Sequence, residues 1–187
     1  MVDVKDVAMY LLSLFRDDAI SREDGIDDGS DVSNLKLQKL LYYCQAYSLA
    51  LTGEPMFAEE IEAWSYGPVV PSVYRSYKQY GRCDIPLADI VPFSLKNEKA
   101  AGIARLVKRQ KGAYSAIAIM DMAHRELPWK EAYDIHLNAP ISNETMRNYF
   151  ADRLCREMSE EEEDRLWDSV TEPLDKDDIR ELLAHVV

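Results

Sequence analysis

The sequence predicts a mainly α-helical fold: a compact multi-helix single domain with at most a small two- or three-stranded sheet. Three observations carry this expectation. Apolar residues recur at steps of three and four in one segment after another, the repeat of a helix with a buried face. Ser, Asn, Asp or Pro stands in front of most of those segments, where helices start. Only two stretches, both containing proline, read as extended chain.

Taken in order, Asp3 can cap a first helix with Val4, Val7, Ala8, Leu11, Leu12 and Phe15 on one stripe. The acidic, Gly- and Ser-containing run from Asp17 to Ser33 reads as a mobile loop. Ser33 or Asn34 can cap a second helix bearing Leu37, Leu40, Leu41, Cys44, Tyr47, Ser48 and Leu51, ended by Gly53. Tyr42 and Tyr43 are about 100° apart on that helix, so with Tyr47 they are not expected to be equally buried. Residues 54–68 follow, where Ile61 and Ala63 alternate with Glu62 and Trp64 as in a short strand. Pro68 or Pro71 opens a third helix with Val70, Val73, Tyr74 and Tyr77 inward and Gly81 at its end. Residues 82–93 suggest a second short strand. Ser94 is expected to cap a helix with Ile103, Leu106 and Val107 inward, and Ser115 one that runs to about His124. Pro128 then starts a further turn, and Ser142 caps a helix carrying Met146, Tyr149 and Phe150. Ser159 and Glu162 make a capping box for a helix with Leu166, Trp167 and Val170. Asp175 precedes a last helix with Ile179, Leu182, Leu183 and Val186. The organisation expected is a helical domain over residues 1–150 and an acidic C-terminal helical extension, 151–187, packed on it.

Composition narrows the function class. With 47% hydrophobic and 30% charged residues in 187, the chain is globular rather than disordered. No apolar run approaches the ~20 residues of a membrane span. The N-terminus has Asp3 and Asp6 instead of a basic leader, which reads as a helix and not a signal peptide. Three isolated cysteines without a CxxC motif argue against a disulfide framework or a cysteine zinc site and point to the reducing cytoplasm. The net charge of −12 is uneven. Residues 17–31 carry −6 and residues 157–178 carry −9, so the remainder is near +3. Two acidic margins on a near-neutral body repel nucleic acid and suit a basic protein partner.

Motifs for chemistry are missing. The histidines, His124, His136 and His185, are scattered, and His124-Arg125-Glu126 lacks the downstream PCxxC of a zinc deaminase. No GxSxG elbow occurs, and the seven glycines are spread singly, so no phosphate-cradling loop forms. Cys44 sits on an apolar helix face, as a small hydrophobe does. Arg105, Lys108, Arg109 and Lys111 fit the solvated end of a helix, where the dipole favours cations. No metal, cofactor or catalytic residue is assigned. Were the protein an enzyme, His124 with Glu126, close to Trp129 and Trp64, would be the first site to examine.

Aromatic residues supply the positive signal. Eleven tyrosines stand against four phenylalanines, and Tyr42, Tyr43, Tyr47, Trp64, Tyr66, Tyr74, Tyr77 and Tyr80 fall within 39 residues. Tyr and Trp combine an apolar body with a polar tip and serve surfaces that a partner buries. Any one of them also fits a core position with its hydroxyl at the rim. Six residues are candidates for a partner-binding surface or groove: Tyr43, Trp64, Tyr66, Tyr74, His124 and Trp129.

Four segments carry a family resemblance: NLKLQKLLYYCQAYSLALTG, IEAWSYGPVVPSVYRSYKQYG, AHRELPW and ISNETMRNYF, in that order. Together they resemble the Panacea domain, the SocA-like antitoxin family, which includes phage-associated proteins. The likeness covers roughly residues 4–150. The family usually shows Thr before the histidine, where Ala123 stands here. The resemblance implies an antitoxin that neutralises a cognate protein toxin, encoded beside it, by direct binding. It also leaves room for an adaptor that delivers its partner to an ATP-dependent protease, or a phage or host interaction module without a toxin.

Overall fold

The computed structural model describes residues 1–21 and 31–157 and is mainly helical, with seven α-helices and one two-stranded antiparallel sheet among them. The first helix, α1 (Val4–Ser21), starts where expected. Asp3 Oδ1 accepts the Lys5 amide at 2.8 Å, and the apolar stripe from Val4 to Phe15 is buried. It runs on through Asp17 to Ser21, residues expected in a loop. Asp18 explains part of this: it pairs with Lys108, which ties the last turns of α1 to the rest of the fold.

At the centre lies α2 (Asn34–Thr52). Ser33 Oγ accepts the Lys36 amide, and Gly53, at φ 73°, closes the helix by donating to Leu49 O. Leu37, Leu40 and Leu41 are fully buried, each worth roughly 1.5–3 kcal/mol of transfer free energy. The sequence pattern predicts one buried face, but from Asn34 to Leu49 every residue except Leu35 is buried. The other elements surround this helix. Tyr42, Tyr43 and Tyr47 are therefore all buried, against the expectation that they are not equally so. Phe150, from α7 (Asn143–Glu157), makes this possible. Its ring lies 5.8, 5.9 and 5.9 Å from those of Tyr42, Tyr43 and Tyr47, so one aromatic side chain fills the space between three.

The sheet is a hairpin of β1 (Glu62–Trp64) and β2 (Gly67–Val69), with Glu62 opposite Val69, Ala63 opposite Pro68 and Trp64 opposite Gly67. Ser65 and Tyr66 keep negative φ, and Gly67, at φ 87°, supplies the left-handed step that turns the chain back. The expected strand at 54–68 is thus present, but its partner is the segment that follows immediately. Residues 82–93 instead contain a short 3-10 turn, Leu87–Asp89, and a single bridge between Ser33 and Asp84. The other edge of β1 is covered too: Ala63 N donates to Ala139 O, Asn138 N to Ala63 O and Ile141 N to Ile61 O.

Around this frame pack α3 (Pro71–Tyr77), α4 (Glu98–Lys111), α5 (Ala116–Arg125) and α6 (Leu127–Ile135). Pro71, not Pro68, occupies the first turn of α3. Asn97, not Ser94, caps α4 by accepting the Ala100 amide, while Ile103, Leu106 and Val107 are buried as expected. Ser115 caps α5, and Ser142 Oγ accepts the Thr145 amide at the start of α7. The expected helices from Ser159 onward, and the extension they would form, lie outside the described residues.

Two glycines separate backbone strain from crowding. A Cβ at Gly67 would meet Lys39 Cε at 2.8 Å, and that lysine is buried with its ammonium bonded, so it cannot swing away. A Cβ at Gly53 would meet nothing within 4 Å. Both positions have positive φ. Gly53→Ala should therefore cost about 1 kcal/mol in urea denaturation, from strain alone, and Gly67→Ala about 2–4 kcal/mol. Equal losses would show that the Lys39 contact yields.

Candidate functional site

The hairpin is fastened to α2 by polar side chains that have no water available to them. Gln45 Oε1 accepts the amides of Met56 and Phe57, and its Nε2 donates to Phe57 O. Gln38 Oε1 accepts the Val70 amide, and Lys39 Nζ donates to Pro68 O at 2.9 Å. A buried polar group left unpaired costs several kcal/mol, so these bonds specify where residues 56–70 must lie. The loop tip Ser65-Tyr66 is thereby held out from the body.

On this support the aromatic residues form a continuous ridge. The rings of Trp64 and Tyr74 meet at 5.0 Å, nearly edge to face. Trp129 Nε1 donates to Trp64 O at 3.1 Å. The Trp129 ring stacks on Tyr133 at 4.5 Å and lies 4.3 Å from His124. At the hairpin tip, Tyr66 is 68% exposed, and Tyr74 is 36% exposed although the helical pattern predicts it to face inward. The reason is the short length of α3, which has Val73 alone fully buried and turns Tyr74 toward Trp64.

Of the six candidates, the structure joins Trp64, Tyr74, Trp129 and His124 through direct contacts, with Tyr66 on the loop next to Trp64. Tyr43 stands apart. It is fully buried, and its hydroxyl donates to Glu126 Oε1 at 2.9 Å. It offers no surface, and Trp129, only 9% exposed, is likewise buried, so Trp64, Tyr66 and Tyr74 are left as the accessible rings.

Beneath the ridge lies a cluster that sequence patterns only partly indicate. Burial pushes Glu126 up to about 7, although the nearby Tyr42 and Tyr43 hydroxyls and the charges of Lys111 and Arg153 pull it down. The Tyr42 hydroxyl lies beside this carboxylate without the geometry of a full hydrogen bond. Burial also pushes Lys39 down to about 7. Partial burial and the neighbouring Lys39 charge lower His124, opposed by Asp121. Lys39 escapes sequence reasoning because it sits between Gln38 and Leu40 with nothing to mark a buried cation. Its one signal is that no charged residue follows it in the rest of α2.

The geometry does not assemble an acid–base pair. His124 Nε2 and Glu126 Oε2 are each buried without a hydrogen-bond partner, so the two residues are not linked. Cys44 is buried, which raises its thiol and leaves it unreactive. Among the described residues no three His, Cys, Asp or Glu side chains come together to hold a metal ion, and no helix is long and apolar enough to cross a membrane. A cavity of about 200 Å³ lies elsewhere, between Met1, Leu51, Met56 and Ile103, and none of the six candidates lines it.

The cluster has a consequence for stability. Glu126 ordinarily titrates near 4.5 and here near 7. Between those values the folded protein keeps a proton that the unfolded chain has released, so stability falls as pH rises through the window and is level above it. The span is on the order of 3 kcal/mol. Lys39 works the opposite way, regaining stability as pH rises above about 7. Glu126→Gln keeps an acceptor for Tyr43 and removes the first effect alone. Urea denaturation should find the variant close to wild type at about pH 4.5 and more stable by ~2–3 kcal/mol at about pH 8. An offset independent of pH would contradict this origin.

Comparison with known proteins matches this architecture to a family. The family described as "Antitoxin SocA-like, Panacea domain" matches residues 37–130, which include α2 from Leu37 on, the hairpin and all six candidates. Antitoxin SocA of Caulobacter vibrioides (strain NA1000 / CB15N) is 46% identical over 50 residues. That match spans 27% of this chain and 27% of the relative's length. No solved structure matches. The chain is a member of the SocA-like, Panacea-domain antitoxin family.

Proposed function

We propose that this protein neutralises a protein toxin by direct contact, and that Trp64, Tyr66 and Tyr74, backed by His124 and the buried Trp129, form the contact surface. One observation carries the reading. A member of an antitoxin family presents a large aromatic side chain, Tyr66, outward on a hairpin that three buried side chains, Gln38, Lys39 and Gln45, fasten to α2. A pre-ordered aromatic loop loses little entropy on docking, the property of an interface anchor. Neutralisation by binding needs no catalytic group, in keeping with the unlinked His124 and Glu126. The acidic residues 17–31 and 157–178 suit a basic toxin and speed encounter. The site of action is the cytoplasm, where the unpaired Cys44 and Cys83 stay reduced.

The test is co-expression with the product of the adjacent gene. Growth should stop with that product alone and resume with this protein. Tyr66→Ala should weaken partner binding by about 2 kcal/mol or more while changing stability by less than about 0.5 kcal/mol, because the side chain has little to lose on unfolding. A neighbour that is harmless alone, or rescue that survives both Tyr66→Ala and Trp64→Ala, overturns the reading. The partner's half-life separates inhibition from delivery to a protease: inhibition leaves it unchanged or longer, and delivery shortens it.

A further inference from the structure

Resting on that reading, we propose that Glu62, Trp64 and Tyr74 together form a receptor for an arginine side chain of the partner protein. Glu62 Oε2 accepts the Trp64 indole N–H at 2.7 Å, which fixes the carboxylate beside the ring. The Trp64 ring in turn meets Tyr74 at 5.0 Å and 61°. A negative group and two electron-rich rings are thus held in one constellation on rigid supports, β1 and α3. Glu62 is partly exposed, and its second oxygen is open to solvent without a hydrogen bond or ion pair among the described residues.

How the protein treats its other ring–cation opportunities sharpens the point. Lys111 lies over Tyr43, Arg153 over Tyr149, and both Lys36 and Lys108 over Phe15, at 5.1 to 5.5 Å. Tryptophan offers a stronger face to a cation than these rings. Yet no lysine or arginine among the described residues covers Trp64 or Tyr74, Arg75 on the neighbouring position included. The complement of this constellation is a cation brought from outside. Guanidinium fits better than ammonium, since it is planar, lies flat on an aromatic face and donates in a fork to a carboxylate. The occupant is a basic residue of a protein whose acidic antagonist carries −12 overall.

Nα-acetyl-arginine amide serves as the probe, followed by the indole N–H signals of the three tryptophans in NMR titrations of the full chain. The Trp64 signal, assigned through Trp64→Phe, should move saturably with arginine and not with the neutral citrulline analogue. Added salt should weaken the response. Glu62→Gln keeps an amide oxygen for the Trp64 indole and loses only the charge, so binding should fall about two- to fivefold, the scale of an exposed charge pair. Equal shifts from arginine and citrulline, an equal or larger response to the lysine analogue, or an unchanged Glu62→Gln each overturn the proposal. The two readings fail separately. If arginine leaves Trp64 unmoved while Tyr66→Ala abolishes neutralisation, the receptor falls and the antitoxin reading stands. If arginine binds as described but no neighbouring product is toxic, the antitoxin reading falls and with it the identity of the occupant.

Discussion

Full burial of a helix that carries Gln38, Lys39, Tyr43 and Gln45 is the constraint on which the rest of this structure depends. Each of these side chains is cut off from water, and each finds a partner outside α2. Three of them reach the segment 56–70, and the fourth reaches Glu126. Losing any of these bonds would strand a polar group in the interior, at a cost that rivals a large part of the net stability of a domain. The same requirement that satisfies the core thus positions the hairpin and, through it, the exposed aromatic side chains.

A consequence is that recognition and folding share atoms without sharing surfaces. Lys39 holds Pro68 from beneath while Trp64 and Tyr66 stand above. Both edges of the two-stranded sheet are engaged, one by the segment 138–141 and the other by Lys39 and Gln38 of α2, which bond Pro68 O and the Val70 amide. A partner strand therefore cannot extend this sheet. What is left for a partner is side-chain chemistry: the rings of Trp64, Tyr66 and Tyr74, and the carboxylate of Glu62.

The pairing of Lys39 with low polarity on one side and Glu126 with low polarity on another gives the interior two groups whose charged forms are both disfavoured near neutral pH. Such an arrangement spends stability. The family match over residues 37–130 includes both residues, so the cost sits within the segment that defines the family. Specification of a single hairpin position is the physical return, since an apolar side chain at either place could not select one backbone carbonyl or one hydroxyl as its neighbour.

The sequence by itself determined most of the described helices, the caps at Asp3, Ser33, Ser115 and Ser142, the left-handed stop at Gly53 and the extended segment before Gly67, because each follows from local geometry and the period of apolar residues. It also identified the SocA-like pattern and, within it, named Trp64, Tyr66, Tyr74, His124 and Trp129 as candidates, although its helical period placed Tyr74 inward. It could not place Tyr43, since an apolar stripe describes one face of a helix and cannot reveal that Phe150, more than a hundred residues away, closes another. Nor could it show that Lys39 is buried or that Glu62 is bound to Trp64 two positions on. Burial and hydrogen bonding depend on what other elements bring to the same place, and only the tertiary structure decides which neighbours arrive.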